Sequence, residues 1–287
     1  MEAVTVCLPG GLRISGDWHR EAVLRPLDGH DEAFLLQHGC ALSAASRTTR
    51  LLARCLCRLG SLPAVTSETI RSLTIGDREA LLLHLRRLTF GETVSCMLAC
   101  PDCADRLDLD LRVTELLLPP YGDASDHHEA SVTAGNVPYH IRFRLPNGAD
   151  QEQAAISAAI TPDAAAMLVL RRCVQDITDA RTGEPVDDIP AELVDPVSDV
   201  MAKRDPQAEI LLDLVCPACN APFRTTFDIA EYFYRELLNR EWDFYREVHL
   251  LAFHYHWSEA AILKLSRRTR STYVELLSRA LQEGRLQ

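Results

Sequence analysis

Four cysteines in two Cys-Pro-x-Cys pairs, Cys100 with Cys103 and Cys216 with Cys219, carry the clearest chemistry in this chain. A zinc ion takes four ligands in a tetrahedron, and one Cys-x-x-Cys turn offers two thiolates that span one edge of it. Two such turns complete the coordination, and the proline after each first cysteine fixes φ and stiffens the turn. The expectation is one structural zinc per chain, held by Cys100, Cys103, Cys216 and Cys219. With four protein thiolates bound, no open position remains for catalysis. A thioredoxin-like redox pair would sit at a helix N-terminus after a strand, whereas both pairs here precede strands. Cys7, Cys40, Cys55, Cys57, Cys96 and Cys173 have no framework spacing and read as small buried hydrophobes in a reduced protein.

Other residues look chemical and are better explained otherwise. His249, His254 and His256 are five and two apart, whereas a metal pair on one helical face needs three or four, so they read as packing or capping residues. His127 and His128 fall in a polar stretch and read as solvated. No phosphate-loop, nucleophile-elbow or His-Glu-x-x-His motif occurs, and no enzyme is expected. Lys264, Arg267, Arg268 and Arg270 form a basic spot between two C-terminal helical segments. A helix-turn-helix DNA reader needs a short turn and a polar recognition face, and here Glu275 and Glu283 interrupt that face.

The elements that must position the cysteines follow from periodicity. Asp31 to Gln37 and Arg47 to Leu59 carry apolar residues at helical spacing, with Gly39 and Gly60 as stops. Thr74 and Asp77 resemble a capping box that opens a helix ending at Gly91. From Thr93 the period becomes two: Leu107, Leu109 and Leu111 alternate with aspartates, and Ile141, Phe143 and Leu145 with arginines. Pro119 to Ala130 reads as an exposed loop. Residues 150–204 return to helix, with Thr161 as an N-cap before Pro162. The tail from Asp228 is helical throughout. The segment Val94 to Leu107 lies over Ile210 to Phe223 without a gap, each copy being a strand, a Cys-Pro-x-Cys turn and a second strand.

The predicted fold class is α+β: mainly helical, with two strand–CPxC–strand zinc hairpins forming a pseudo-symmetric, zinc-ribbon-like core. The organisation expected is an N-terminal helical region (1–92), a zinc-hairpin β region (93–227) with a helical insertion around 150–204, and a C-terminal helical region (228–287). The 287 residues are 47% hydrophobic and 25% charged, which is globular composition. A net charge of −11 opposes nonspecific binding to nucleic acid or anionic membrane. No apolar run reaches the ~20 residues of a membrane helix, and Met1 to Gly10 has no signal-peptide pattern, so a cytoplasmic location is expected.

Several phrases together resemble the T-even-phage-type baseplate hub assembly chaperones. They are Leu73-Thr-Ile-Gly-Asp-Arg-Glu-Ala-Leu-Leu, Leu88-Thr-Phe-Gly, Phe143-Arg-Leu-Pro-Asn-Gly-Ala-Asp, Asp205-Pro-Gln-Ala-Glu, Glu247-Val-His-Leu-Leu-Ala and Tyr255-His-Trp-Ser-Glu-Ala-Ala-Ile-Leu, with the two Cys-Pro-x-Cys pairs. The resemblance spans roughly Asp28 to Leu277. It implies a non-enzymatic assembly factor or minor component of the baseplate hub of a contractile tail or injection system, with hub or spike-proximal proteins as partners. The alternative class is a zinc-ribbon nucleic-acid-binding regulator. Most of the aromatic side chains lie between Tyr232 and Tyr273, which marks the C-terminal helices as the expected docking surface.

Overall fold

The computed structural model describes residues 3–62, 64–122, 125–158 and 162–283. Strands β1 (Val4–Ile14) and β2 (Asp17–Leu24) pair antiparallel, helices α1 (Gly29–His38) and α2 (Ala44–Cys55) follow, and β3 (Leu56–Leu59) returns beside β2. The helical reading of residues 1–92 is therefore corrected at 4–24 and at 56–59, which are strands. Pro9-Gly10-Gly11 breaks the alternation of β1, and the ladder absorbs it as a register shift between Cys7 and Leu12. The N–H groups of Gly10 and Gly11 are not lost, because both donate at 2.8 Å to the Asp77 carboxylate. The helix expected over 47–59 stops at Cys55, and Gly60, at φ +50°, turns the chain after β3 instead of ending a helix.

Helix α3 (Ser67–Ser72) leads into α4 (Ile75–Phe90), capped by the Thr74 hydroxyl on the Asp77 N–H. The reciprocal half of the expected capping box is absent, since Asp77 is spent on β1. Gly91, at φ +95°, ends α4. Next come β4 (Thr93–Ala99), β5 (Arg106–Arg112) and the single turn α5 (Val113–Leu116). A second sheet then forms from β6 (His128–Ala134) and β7 (Val137–Phe143), followed by α6 (Gly148–Ala158), α7 (Pro162–Cys173) and β8 (Val174–Asp179), which pairs with β7. The predicted helical insertion thus contains a strand, because Cys173 ends α7 and hands the chain to the sheet edge. Thr161 lies outside the described residues. Helix α8 (Val194–Arg204), strands β9 (Leu211–Val215) and β10 (Pro222–Thr226), and helices α9 (Ile229–Leu238), α10 (Glu241–Tyr255), α11 (Glu259–Leu263) and α12 (Arg267–Gln282) complete the chain.

The element order strand, strand, helix, helix, strand occurs twice, at 4–59 and 128–179, and the same polar knot closes both. In the first, Asp31 accepts from Arg25 (2.6 Å) and Arg54 (2.8 Å), with the Cys55 sulfur at 3.8 Å. In the second, Asp150 accepts from Arg144 and Arg172 (2.6 Å each), with the Cys173 sulfur at 3.7 Å. The Arg25 N–H donates to Cys55 O and the Arg144 N–H to Cys173 O, tying each final strand to its sheet. Asp28 and Asn147 cap α1 and the start of α6 by accepting from the Asp31 and Asp150 N–H groups.

Each unit also receives the N-terminus of a distant helix. Thr74 bridges to Asn147 and Ser266 to Asp28, so α4 sits on the second unit and α12 on the first. One turn in, Arg78 and Arg270 are fully buried. Arg78 donates to Gln151, Thr49 and two carbonyls. Arg270 pairs with Glu32 at 2.5 Å and Glu247 at 3.2 Å. This close approach requires glycine: a Cβ on Gly148 would lie 2.4 Å from Arg78 Nη1, and one on Gly29 would lie 2.7 Å from Leu263 Cα. The larger apolar core lies between the first sheet, α2, α4 and α9, and a second lies under β6–β8 and α8.

Both knots make stability depend on acid pH. Burial alone would raise Asp150, but Arg144, the Asn147 N–H and Arg172 outweigh it and hold the carboxyl at about 2; Asp31 is lowered in the same way. A depressed native pKa stabilises fully above the unfolded value near 4 and is lost as pH falls through the native one. Asp150→Asn leaves two guanidiniums facing a neutral amide. It should cost roughly 3–5 kcal/mol at pH 7 and lower Tm by about 6–15 °C. The variant's melting temperature should also fall less steeply than wild type between pH 4 and 2, and equal slopes would show that Asp150 does not titrate with folding.

Candidate metal centre

Each cysteine pair sits on the turn between two antiparallel strands. In β4–β5, Val94 pairs with Leu111 and Ala99 with Arg106; in β9–β10, Leu211 pairs with Thr226 and Val215 with Pro222. The bases of both ladders are rooted in the large core through Val94, Val113, Ile210 and Leu212. The Tyr232 hydroxyl adds a hydrogen bond to Ser95 O at 2.8 Å. The tips are different. Around the cysteines only Cys100, Leu107 and Cys216 are buried together, with Phe223 against them. So small a cluster cannot offset the entropy of ordering two turns, and something else must hold the tips together.

The two turns share one backbone design. The Cys100 N–H donates to Asp105 O and the Ala104 N–H to Cys100 O; the Cys216 N–H donates to Ala221 O and the Asn220 N–H to Cys216 O. Ala104 and Asn220 close them at φ +59° and +58°, the left-handed region where asparagine is tolerated and alanine is strained. The first cysteine of each pair faces inward and the second outward. Across the pairs, Cys100 Sγ lies 3.7 Å from Cys219 Sγ, and Cys103 Sγ lies 3.7 Å from Cys216 Sγ. All four sulfurs lie within 4.8 Å of one another. A disulfide would need about 2.05 Å. A tetrahedral ion with metal–sulfur bonds of about 2.3 Å has edges of about 3.8 Å, so the arrangement fits a metal.

The turn backbone also prepares the thiols. The Cys219 and Ala218 N–H groups point at Cys216 and lower its thiol to about 7. The Asp105 N–H acts the same way on Cys103, but desolvation and the three neighbouring sulfurs push that thiol up to about 12. A cation must therefore displace the proton that Cys103 carries at neutral pH.

The remaining candidates disperse. Cys55 and Cys173 are buried, in the Asp–Arg knots, whereas Cys7, Cys40 and Cys57 are exposed and Cys96 is half-buried, so the reading of all six as buried hydrophobes holds for two. His128 is buried against Phe143, its ring centroid 5.6 Å away, because residue 128 already belongs to β6; His127 is exposed. His249 stacks on Phe253. Among the described residues, no second cluster of three or more Cys, His, Asp or Glu side chains could hold one ion. The knots themselves had a sequence signal: Arg25-x-x-Asp28-Gly29-x-Asp31 against Arg144-x-x-Asn147-Gly148-x-Asp150, each followed by a cysteine 24 or 23 residues after the aspartate.

Among known proteins, the family described as T4 bacteriophage base plate protein matches residues 61–234, a span that includes both cysteine pairs. No curated protein and no solved structure matches the chain.

Two outcomes test the centre. Metal binding releases protons, so cobalt(II) titrated into the protein should give a thiolate charge-transfer band that weakens from about pH 7 to 5; absence of that band at pH 7 would exclude cysteine ligation. Ala104→Gly should stabilise the protein by about 0.5–1 kcal/mol by relieving the left-handed alanine, seen as a higher Tm with unchanged metal content.

Proposed function

Because the chain belongs to the T4 bacteriophage base plate protein family, we propose that it is a non-enzymatic assembly factor or minor component of the baseplate hub of a contractile tail or injection system. In this reading it is rigidified by one structural zinc ion on Cys100, Cys103, Cys216 and Cys219. The four-sulfur set and its spacing favour zinc among the common ions, and four protein ligands leave no coordination site for a substrate. The two strand–turn–strand ladders then act as a pseudo-symmetric zinc-ribbon-like platform.

The observation that carries the proposal is the aromatic face of α10. Of the aromatics after residue 230, Phe233, Tyr234 and Phe244 are buried, and Tyr232 is half-buried with its hydroxyl on Ser95 O. Tyr255, Trp257 and Tyr273 pack on one another. Trp242 at 81% exposure, Phe253 at 65% and Tyr245 at 40% are left over. With exposed His249 they recur at helical spacing along one side of α10. Rings held rigid and uncovered are the usual anchors of protein interfaces. Hub or spike-proximal baseplate proteins are the partners this reading assigns to them. A DNA-reading role is disfavoured because Arg270, counted in the basic spot, is buried in ion pairs. No described helix is long and apolar enough to cross a membrane.

Purified protein should contain one zinc per chain by elemental analysis, and Cys103→Ser or Cys219→Ser should lose it together with solubility, since structural zinc contributes on the order of 10–16 kcal/mol. None, or two per chain, would refute the four-cysteine site. Co-expression with hub and spike-proximal baseplate proteins should yield a complex. In Trp242→Ala/Phe253→Ala that complex should weaken by ≥~30-fold, the loss of ~2 kcal/mol or more expected of interface anchors, with zinc content and Tm preserved. An undiminished complex would place the interface elsewhere.

A further inference from the structure

The basic residues near the end of the chain do not act as one group. Arg270 is taken up by Glu32 and Glu247, which leaves Lys264, Arg267 and Arg268 on the turn entering α12. The fold brings this turn beside the α9–α10 junction, where Arg240 lies. Arg240 and Arg267 both stack on Phe90, with guanidinium carbons 4.8 and 4.9 Å from the ring centroid. Two open cavities border the C-terminal turn of α4 here. One, of about 570 Å³, runs to the base of β4 past Met97, Tyr232, Arg235 and Arg240. The other, of about 510 Å³, is floored by Leu27 and Leu88 and rimmed by Lys264, Arg267 and Arg268.

Charge in this groove is unbalanced. Glu236 is engaged by Arg86 through two hydrogen bonds and lies 3.6 Å from Arg240, and Arg235 is bonded to Glu231. Among the described residues, no carboxylate reaches ion-pair distance of Lys264, Arg267 or Arg268. Burial, and then the like charge of Arg240, make the Arg267 guanidinium less basic than usual. A chain of net charge −11 has thus gathered three cations without a direct ion pair, Lys264, Arg267 and Arg268, beside an aromatic ring and an apolar floor, with Glu32 and Glu247 acting on Arg267 only from beyond ion-pair distance.

We propose that this groove is an interaction surface for an extended acidic segment of a partner protein, one that alternates carboxylate and apolar side chains. The carboxylates meet Arg240, Arg267, Arg268 and Lys264, and the apolar side chains lie on Phe90, Leu88 and Met97. Each carboxylate that docks relieves the repulsion between Arg240 and Arg267 and keeps their stacking on the ring. A nucleic acid fits less well: the chain's overall field repels a long polyanion, and the apolar floor offers nothing to a sugar–phosphate backbone. The surface is separate from the aromatic face of α10, so its test is independent of the baseplate reading.

The test titrates full-length protein into a rhodamine-labelled peptide of three Glu-Phe-Glu-Leu repeats and reads fluorescence anisotropy. Saturable binding is expected below about 100 μM at 50 mM salt, weakening at least about fivefold at 300 mM. Arg240→Ala/Arg267→Ala should weaken it about tenfold or more, whereas Trp242→Ala should not change it. Lys264→Glu/Arg268→Glu alters only exposed side chains and should weaken binding similarly, which guards against misfolding of the first variant. A peptide of Glu-Ser repeats should bind several-fold more weakly than the Glu-Phe-Glu-Leu peptide. No saturation by about 1 mM would overturn the proposal. So would unchanged binding in both charge variants, or a 20-base-pair duplex that binds as tightly as the peptide.

Discussion

A carboxylate with no exposure to water, gripped by two arginines beneath a cysteine, forms the corner of each strand–helix unit, and the rest of the architecture hangs on it. Asp31 and Asp150 neutralise arginines that come from the residue just after the second strand and from the end of the second helix. Three elements are thereby fixed at one point. The corner also sets the helix N-terminus at which the second interaction occurs, where Thr74 or Ser266 bridges to the cap and a buried arginine follows one turn later. A buried ion pair gives little net stability but is costly to leave half-made, so it acts mainly as a demand for one arrangement. Two such corners, one receiving α4 with the hydrogen-bonded Arg78 and the other α12 with the ion-paired Arg270, fix how the chain wraps on itself.

The metal centre stands apart from this scaffold. Its ladders take their bases from the main core, while their tips carry little apolar surface of their own. Position is supplied by the core, and a metal ion shared by the four sulfurs would supply cohesion. The division of labour explains why the same turn design recurs 116 residues apart, down to a left-handed residue after the second cysteine. A bound ion would also account for the exposure of the outward cysteines, Cys103 and Cys219, since a thiolate held by a metal need not be hidden to be fixed.

The cysteine pairs were legible in the sequence because coordination demands residue type and spacing directly, and both survive without knowledge of the fold. The C-terminal helices were legible for a related reason, since caps such as Asp228 and Ser258 act within one turn. The first sheet was not. Gly10 and Gly11 look like a break in β1, and only the Asp77 carboxylate, 66 residues away, makes the break tolerable. The buried roles of Arg78 and Arg270 were hidden because arginine in a helix ordinarily reads as surface. Likewise the exposed Trp242 and Phe253 cannot be told from core aromatics by periodicity alone. In each case the deciding partner lies far away along the chain.

That distance has a temporal side. The salt bridge between Glu32 and Arg270 joins residues 238 positions apart. At a synthesis rate of ~5–20 residues per second, a ribosome needs roughly 10–50 s between making the first partner and the last. For that interval the first sheet and α1 exist with their receiving corner empty, its buried glutamate unpaired and Gly29 facing no helix. The first sheet and α1 therefore emerge well before the element that completes them, and nascent chains stalled before residue 258 should be more exposed to proteases and to unintended partners than the finished chain.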